Sequence, residues 1–453
     1  MNLSNLHMVY FLGIGGIGMS ALARYFHQAG VKVAGYDRVK TDLTAELEKE
    51  GINIHYEDDP STLPSAIDLV VITPAIPWNH NELNQLKNQG TPVLKRSEIL
   101  GLLTQGKSTL AVAGTHGKTT VSSMLAHILH SSGIPISAFI GGIMKNYNSN
   151  VVLEENPSWY IVEADEYDRS FLTLNPEIAI ITAMDADHLD IYGDHGRLRE
   201  AFLEFSKKIP DGGYLVINEK AGQLPADHIH SITYGFSLNS QVQVESYRIE
   251  DHRFVFDASG PGDFKLHDVR LQTPGRFNIE NALAAAYAAF LAGCSTMDIT
   301  NALESYTGVK RRFDYRVRTQ DTVYIDDYAH HPEELKACIL AVKELYPGKK
   351  VTGIFQPHLF SRTRDFAGEF AASLELLDDV ILLDIYPARE LPIEGVDSGM
   401  ILDKIKRIPG MICPKKDVPG VIAEKKPEVL LTLGAGDIDL LVEPLQQLLT
   451  KGK

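Results

Sequence analysis

Short apolar runs recur along the chain, and most of them end in a cluster of glycine or polar residues. Such runs are typical of buried strands, and the longer stretches between them have the spacing of amphipathic helices. The alternation of the two predicts βαβ units and parallel sheets. The predicted strands cover residues 7–12, 31–37, 69–72, 110–113, 159–162, 178–182, 323–325, 351–355, 380–384 and 429–433.

The order of these elements predicts an α/β protein of three domains. Open α/β sheets bind ligands beyond the carboxyl ends of their strands, so the polar residues after each run are the first candidates for a functional site. We expect a Rossmann-like N-terminal domain over residues 1–105, a central P-loop-type domain with a mainly parallel sheet over residues 106–311, and a Rossmann-like C-terminal domain over residues 312–453.

The segment after the first predicted strand has the pattern G-x-G-x-x-G, from Gly13 to Gly18, and Asp37 ends the second strand. This pattern is typical of dinucleotide binding, because the glycines allow a tight turn and the next helix offers its N-terminus to a diphosphate. The same physics serves any diphosphate, and glycines needed only for packing are a third interpretation. The candidate binding residues here are Gly15, Gly16, Ile17, Gly18, Asp37, Thr73, Pro74 and Ala75.

A second glycine-rich turn lies between the predicted strand 110–113 and a helix. In such a turn the backbone N–H groups point at a phosphate, Lys118 can place a charge on the β- and γ-phosphates, and the Thr119 hydroxyl can bind Mg²⁺. The spacing is shorter than in a full P-loop, since Val112 stands where the first glycine is expected. The predicted ATP-binding residues of this turn are Gly114, Thr115, His116, Gly117, Lys118, Thr119 and Thr120.

Acidic clusters follow the next two predicted strands, with Glu163 in the first and Asp187 and His188 in the second. Carboxylate oxygen and imidazole nitrogen are metal ligands, so the clusters predict Mg²⁺ beside a triphosphate, although helix capping explains either cluster alone. Farther along, Asn278 and Asn281 lie one turn apart at the start of an alanine-rich helix that can cover a nucleotide base. Capping of that helix is the alternative for Asn278.

The last third of the chain contains four predicted strands that each end in polar or glycine residues. Because the carboxyl ends of parallel strands lie at one edge of a sheet, we expect these four tips to line one crevice. A short basic run at residues 308–313 precedes this region and predicts a hinge around residues 310–313 with a phosphate-binding arginine, a solvated face being the alternative. The four tips are residues 326–332, 356–364, 385–390 and 434–438.

Composition narrows the class of protein. The chain has 453 residues, 44% of them hydrophobic and 23% charged, which is typical of a soluble globular protein. Its net charge of −16 disfavours a nucleic-acid partner, since such binding depends on neutralising phosphates. No apolar run has the roughly 20 residues needed to cross a bilayer, and the N-terminus lacks a basic signal-peptide head, so we expect a cytoplasmic protein without membrane insertion. Cys294, Cys338 and Cys413 are widely spaced and predict core thiols.

As a set, these motifs resemble the Mur ligase superfamily, the ATP-dependent amide ligases of peptidoglycan assembly. The resemblance covers nearly the whole chain, and the set is specific although no single member is. The matching segments are residues 13–19, 114–120, 163–166, 187–190, 326–332, 356–358 and 434–437.

The resemblance implies a division of labour. The first domain would bind UDP-N-acetylmuramate, the central domain ATP and metal, and the last domain would close on both and help to place L-alanine. The implied reaction joins L-alanine to the lactyl carboxylate through an acyl phosphate, with release of ADP and phosphate. ATP and Mg²⁺ would be the cofactors, with Mn²⁺ as the alternative metal, and the protein would be a monomer or weak homodimer.

It also implies roles for single residues. Thr119 and Glu163 would hold one Mg²⁺ and His188 a second. The implied nucleotide contacts outside the turn are Asn278, Asn281, Arg312 and Asp327. The implied contacts to the acyl group or amino acid are His330, His358 and Arg362, and the implied catalytic set is Lys118, His188, His358 and Arg362.

The chain departs from the family pattern at several positions. Leu359 stands where the family often has an arginine, Phe277 replaces a histidine that commonly precedes the asparagine, and Ala183 replaces a common asparagine. Related ligases use a carbamylated lysine after the acid-and-histidine segment. No lysine lies between His188 and Lys207, so that role is not assigned.

Other activities compete with this interpretation. An NAD-dependent oxidoreductase would use the first glycine-rich turn and Asp37 but would leave Lys118 unexplained. A regulatory P-loop switch or binding module explains Lys118 but not the glycine-rich first domain. A recycling ligase that joins a ready-made murein peptide to the same UDP-sugar is closer, and the full pattern from Gly13 to Met19 favours the addition of alanine.

Overall fold

The computed structural model describes residues 3–185, 192, 194–225, 227–388 and 390–450. The chain divides into two compact units. The first unit consists of Met1–Ser246, Asp257–Val269 and Glu280–Ser305, and the second of Tyr247–Phe256, Arg270–Ile279 and Tyr306–Lys453.

A five-stranded parallel sheet begins the first unit. Its strands are β1 (Met8–Leu12), β2 (Lys32–Tyr36), β3 (Asn53–His55), β4 (Leu69–Ile72) and β5 (Val93–Lys95), and its helices are α1 (Ile17–Gln28), α2 (Asp42–Lys49), α3 (Asn81–Asn88) and α4 (Arg96–Thr104). The strand order β3-β2-β1-β4-β5 reverses between β1 and β4, so a crevice opens beyond the carboxyl ends of these two strands. Residues 9–12 are completely buried, as expected for a central parallel strand.

The second sheet has ten strands among the described residues. They are β6 (Thr109–Ala113), β7 (Ile136–Met144), β8 (Ser149–Leu153), β9 (Trp159–Glu163), β10 (Ile178–Ile181), β11 (Tyr214–Asn218), β12 (His230–Gly235), β13 (Val242–Glu250), β14 (Arg253–Ser259) and β15 (Lys265–Leu271). The helices of this region are α5 (Lys118–Ser131), α6 (His195–Ser206), α7 (Arg276–Leu291) and α8 (Thr296–Ser305). The order is β15-β14-β13-β12-β11-β10-β6-β9-β7-β8, and β6 pairs in parallel with β9 and β10. The turn after β6 therefore lies between the carboxyl ends of β9 and β10.

The sheet of the second unit has six strands. They are β16 (Asp314–Arg318), β17 (Val323–Asp327), β18 (Val351–Phe355), β19 (Asp379–Leu382), β20 (Gly410–Ile412) and β21 (Val429–Leu433). The helices are α9 (Pro332–Leu345), α10 (Phe360–Leu374), α11 (Gly399–Leu402), α12 (Val418–Lys425) and α13 (Val442–Thr450). The order is β16-β17-β21-β18-β19-β20, and only the β16–β17 pair is antiparallel. The carboxyl ends of β17, β21, β18 and β19 thus follow one another along one edge.

All three cysteines are buried and form no disulfide, which agrees with the prediction of core thiols. Burial raises the pKa of the Cys294 thiol, so this thiol stays protonated at neutral pH. In the part of the chain that the structure describes, no helix combines the length and the apolar composition that a bilayer crossing requires.

Asn150, in β8, joins the two sheets of the first unit. Its side-chain NH₂ donates to the carbonyl of Ile17 (2.6 Å) and to Ser20 Oγ (2.9 Å), while its Oδ1 accepts from Arg24 Nη1 (2.6 Å). Asn150 is completely buried. The amide therefore fixes the first turns of α1, and with them the glycine-rich turn, to the second sheet.

We expect Asn150→Ala to lower the free energy of unfolding by about 1–3 kcal/mol, because buried groups of α1 lose their hydrogen-bond partners. Urea unfolding followed by circular dichroism measures the change. Asn239→Ala is the matched control, since Asn239 is exposed in a turn. An equal effect of the two substitutions would contradict the anchoring role of Asn150.

Candidate active site

The turn after β6 owes its tight curl to two glycines. Gly114 has a φ of +133° and Gly117 a φ of +81°, conformations that residues with a side chain rarely adopt. A Cβ on Gly114 would lie 2.1 Å from Thr182 Oγ1, and a Cβ on Gly117 would lie 2.8 Å from Asn281 Oδ1. Helix α5 begins at Lys118, directly after the turn. Turn amides and a helix N-terminus together have the geometry of an anion cradle.

The segment after β10 holds this turn in place. The Thr182 hydroxyl donates to the carbonyl of His116. Thr115 N–H donates to the carbonyl of Ala183 (3.0 Å), and Asp185 N–H donates to Thr115 Oγ1 (3.1 Å). Sequence reasoning did not single out Thr182, whose one signal was its place at the end of a predicted strand.

Lys118 points back over the turn. Its Nζ donates to the carbonyl of Gly114 (2.7 Å) and to both carboxylate oxygens of Glu166 (3.0 Å to Oε1 and 2.7 Å to Oε2). Burial alone would lower the pKa of the ammonium group, but the charges of Glu166, Asp165 and Glu163 raise the pKa above its usual value. Lys118 is therefore a fixed positive charge at the turn.

The predicted metal ligands Thr119 and Glu163 lie side by side. The Thr119 hydroxyl donates to Glu163 Oε1 (2.9 Å), and Gly141 N–H donates to Oε2 (2.8 Å). A Cβ on Gly141 would lie 2.4 Å from the same carboxylate, so the strand β7 approaches it closely. Hydroxyl and carboxylate oxygens are the donors that Mg²⁺ prefers. The pair fits the predicted metal.

The remaining predicted ligand, His188, lies outside the described residues. Elsewhere, over the ranges that the structure describes, no group of three or more His, Cys, Asp and Glu side chains is arranged to hold a metal ion. The acids after β9 do not act as one cluster, because Glu163, Asp165 and Glu166 each contact a different side chain.

Both predicted asparagines of α7 are buried. Asn281 Oδ1 lies against Gly117 of the turn. Asn278 Nδ2 donates to the carbonyl of Pro274 (2.8 Å), so it shapes the segment that leads into the helix. Their contacts with a nucleotide stay predictions.

In the first sheet, the predicted residues Asp37 and Thr73 pack against the glycine-rich turn. Asp37 Oδ2 accepts from Gly15 N–H (2.8 Å), and its Oδ1 accepts from Val39 N–H (3.2 Å). Thr73 Cγ2 would lie 2.7 Å from a Cβ on Gly13. Asp37 thus shapes the turn directly. The other predicted residues here are Gly16, Ile17 and Gly18 at the start of α1, and Pro74 and Ala75, which follow β4.

Arg96, the first residue of α4, also lies at this turn, and no motif in the sequence marked it. A Cβ on Gly18 would lie 3.0 Å from Arg96 Nη1. Arg96 Nη2 is 3.7 Å from Asp165 Oδ2 of the second sheet. A guanidinium group beside the positive end of α1 adds to the attraction for an anion there.

In the second unit, Asp327 at the end of β17 accepts hydrogen bonds from the backbone at the end of the basic run. Its Oδ2 accepts from Phe313 N–H (2.7 Å) and its Oδ1 from Ala329 N–H (2.8 Å). Burial raises the pKa of Asp327 to about 6, and the charge of Arg312 opposes this rise. Arg311 and Phe313 have φ values of +64° and +46°. The carboxylate therefore stabilises a strained bend at the predicted hinge.

Four predicted residues of the second unit come together near this bend. The ring centroids of His330 and His358 are 5.8 Å apart. Burial lowers the pKa of His330 to about 4, and the charges of Arg362 and Arg312 contribute to the lowering. The imidazole is therefore neutral at pH 7, close to two guanidinium groups.

Two further residues of this region were predicted only as members of a strand tip and not as single site residues. Tyr386 stacks on His358, with ring centroids 5.8 Å apart. The carboxylate of Glu390 accepts from Ser361 N–H (2.9 Å) in the first turn of α10. Leu359, at the position where the family often has arginine, precedes α10 with a φ of +70°. Tyr386 and Glu390 belong to the predicted tip 385–390, but nothing in their spacing marked them.

The fold and these contacts define a class of protein, a three-sheet α/β chain with a P-loop-type nucleotide site. Family models match it in order along the chain: "Mur ligase family, catalytic domain" over residues 8–108, "Mur ligase middle domain" over residues 112–289 and "Mur ligase, glutamate ligase domain" over residues 311–436. The chain belongs to the Mur ligase family.

Individual relatives are similar over their whole length. The UDP-N-acetylmuramate–L-alanine ligase of Parabacteroides distasonis is 48% identical to this chain, and the match covers 100% of this chain and 99% of that protein. The ligase of the same name from Flavobacterium psychrophilum is 49% identical, and the match covers 98% of both proteins. The structure of UDP-N-acetylmuramate-alanine ligase from Thermotoga maritima has a TM-score of 0.83 and 30% identity, with coverage of 98% of this chain and 100% of that one. A murein peptide ligase from Psychrobacter arcticus shares the fold. It has a TM-score of 0.70 and 21% identity, and the match covers 98% of both chains. The predicted α/β Mur ligase fold with mainly parallel sheets is confirmed.

Gly114→Ala should reduce binding of an ATP analogue by at least about tenfold and lower the melting temperature, because the new Cβ would collide with Thr182 Oγ1. Calorimetric titration and thermal unfolding measure the two effects. Gly133→Ala is the matched control: Gly133 also has a positive φ, +76°, but no atom lies within 4 Å of the position that a Cβ would take. Normal binding by the Gly114 variant would show that the close approach does not shape the turn.

Proposed function

We propose that this chain is an ATP-dependent amide ligase that joins L-alanine to the lactyl carboxylate of UDP-N-acetylmuramate in peptidoglycan precursor synthesis. The observation that carries the proposal is the similarity of 48–49% over whole chains to ligases with that name. The phosphate turn with Lys118 supports it, because an amide ligase needs a nucleotide to activate its acid substrate.

The chemistry proceeds in two steps. An oxygen of the lactyl carboxylate attacks the γ-phosphorus of ATP, the bond from that phosphorus to the bridging oxygen breaks, and ADP leaves. The product is an acyl phosphate, whose carbonyl carbon is attacked by the neutral amine of L-alanine. The amide bond forms, the amine loses a proton, and inorganic phosphate leaves.

The protein contributes position and charge to these steps. The amides of the turn and the N-terminus of α5 would hold the phosphates, and Lys118 would offset the charge that builds up as two anions approach. The first sheet would hold the UDP-sugar at the glycine-rich turn, with Arg96 as an added cation. These assignments rest on the contacts described above and on the family.

Mg²⁺ is the metal we propose for the Thr119 and Glu163 pair, with Mn²⁺ as the alternative. When bound, it would neutralise part of the phosphate charge. The 2.9 Å contact between the hydroxyl and the carboxylate supports this choice, because both groups are oxygen donors that already lie together. His188 is the proposed ligand for a second ion.

The second unit would supply the remaining contacts. Arg312, Asp327 and Asn278 are proposed for the nucleotide, and Asn281 of the first unit is proposed for it as well. Asp327 would use the acceptor capacity that its two bonds to backbone amides leave. The neutral His330, with His358 and Arg362, is proposed for the acyl group or the amino acid.

We expect ADP to form only when UDP-N-acetylmuramate and L-alanine are both present, because the acyl phosphate requires the acid and its turnover requires the amine. A coupled assay for ADP, with each substrate omitted in turn, measures this. Brisk hydrolysis of ATP with neither substrate would contradict the proposed function.

The same assay separates alanine addition from peptide recycling. L-Alanine, L-serine, glycine and the murein tripeptide are compared as acceptors at equal concentration. The whole-length relatives support the addition of alanine, so L-alanine should give the highest kcat/KM. A preference for the tripeptide would favour the recycling reaction, and binding of a nicotinamide dinucleotide would revive the oxidoreductase.

Lys118→Ala should slow phosphate release by about a hundredfold or more, since it removes the cation that the phosphates meet. UDP-N-acetylmuramate should bind nearly as before, because we assign it to the other sheet of the first unit. Calorimetry and a phosphate assay measure the two quantities. Lys107→Ala, at an exposed lysine before β6, is the control. Equal loss of turnover and of sugar binding would argue against two separate sites.

A further inference from the structure

Lys118 uses all of its donors within the protein. An ammonium group has three N–H donors, and Lys118 Nζ donates to the Gly114 carbonyl and to the two oxygens of Glu166, at 2.7, 3.0 and 2.7 Å. A phosphate that binds Lys118 must therefore displace at least one of these acceptors. Glu166 supplies the charged acceptors among them.

Glu166 is held firmly where it is. The residue is completely buried. Its carbonyl accepts from the Tyr192 hydroxyl (2.6 Å) and from Arg169 N–H (2.9 Å). The main chain of Glu166 is therefore fixed, and its carboxylate is buried beside Lys118.

Charge competition follows from this arrangement. Two anions, the carboxylate and the phosphate, need the same ammonium group, and breaking a buried ion pair is costly when one charge is left behind. Part of the free energy gained when the β- and γ-phosphates contact Lys118 is therefore lost in breaking its ion pair with Glu166. Nucleotide binding is thus weaker than the turn alone would allow.

We propose that Glu166 is a positioning residue that occupies Lys118 in the nucleotide-free chain and releases it to the β- and γ-phosphates, so that it weakens nucleotide binding and speeds the exchange of ADP. The inference rests on the proposed function in one respect, the contact between Lys118 and these phosphates. Its role in turnover is to keep product release fast after the acyl phosphate has formed.

The test is Glu166→Gln, which removes the charge and keeps the shape and one acceptor for Lys118. Dissociation constants for adenylyl imidodiphosphate, ADP and AMP are measured by calorimetry in Mg²⁺ buffer, and the rate of ADP release by stopped flow. We expect about tenfold tighter binding of the imidodiphosphate and of ADP, and slower ADP release, as for a desolvated charge pair. The affinity for AMP should stay within about twofold, because AMP has no β-phosphate.

Weaker or unchanged binding of the two longer nucleotides would overturn the proposal, since a purely structural support for Lys118 would give that result. An equal gain for AMP would also overturn it, because the effect would not pass through Lys118. If the Gln variant does not fold, Glu166→Asp keeps the charge but shortens its reach. Glu166→Asp should also tighten binding of the imidodiphosphate and of ADP more than binding of AMP, but by a smaller factor than Glu166→Gln.

Glu155→Gln is the matched control. Glu155 is an exposed acid in the loop after β8, outside both glycine-rich turns. Loss of its charge should change ADP affinity by less than about threefold. These binding measurements need neither UDP-N-acetylmuramate nor L-alanine, so they succeed or fail independently of the ADP-forming assay that tests the proposed function.

Discussion

The close approach between Gly114 and Thr182 sets the geometry of the central site. Strands β6 and β10 are hydrogen-bonded neighbours, so the turn after β6 must pass over the end of β10. Only a residue without a Cβ fits there, and the Thr182 hydroxyl fastens the turn at His116. The direction of α5 follows from that position. The places of Lys118 and Thr119 follow from the direction of α5.

Cations at the two glycine-rich turns of the first unit are matched with carboxylates. Lys118 pairs with Glu166, and Arg96 lies near Asp165, the adjacent residue in sequence. In a chain with a net charge of −16, a group that binds anions must act over a short range, since the surrounding field repels them. Pairing also lowers the cost of burying a cation when no ligand is present. The segment after β9 thus supplies a carboxylate to the cation at each of the two turns.

Strands in the middle of the sheets were predicted closely. The runs at 69–72, 351–355 and 429–433 are the observed bounds of β4, β18 and β21, because strands buried on both faces are apolar throughout. Strands β3, β5, β7, β8, β11 to β16 and β20 were not predicted. Some of these strands are buried on one face only: β8 alternates buried and half-buried residues, and β15 mixes buried with exposed residues. Helix α5 begins at Lys118, and Thr119 and Thr120 conceal its first turn from an apolar pattern.

The motifs predicted which residues lie at the site better than they predicted the contacts between those residues. The glycine turn, Lys118 and Thr119 follow from local spacing, because one strand, one turn and one helix with a recognisable motif build them, and Glu163 follows from its place at the end of a predicted strand. Glu166 as the partner of Lys118 depends instead on how a strand much later in the chain is aligned beside the turn. Parallel strands are joined through long crossovers, so their relative alignment is set by packing rather than by neighbouring residues. The contacts of Arg96 with Gly18 and Asp165 likewise join residues that are distant in sequence, so no local pattern marked Arg96.

Asn150 ties α1 to β8, so buried hydrogen bonds connect the glycine-rich turn of the first sheet to the second sheet within one compact unit. These bonds oppose a change in the distance between the two turns. In the proposed function, a sugar nucleotide anchored by its diphosphate at the first turn would deliver its acid group at a depth set by its own length. Substrate selection would then depend on that length, and a substrate shorter or longer by one sugar would be rejected even if every local contact were satisfied.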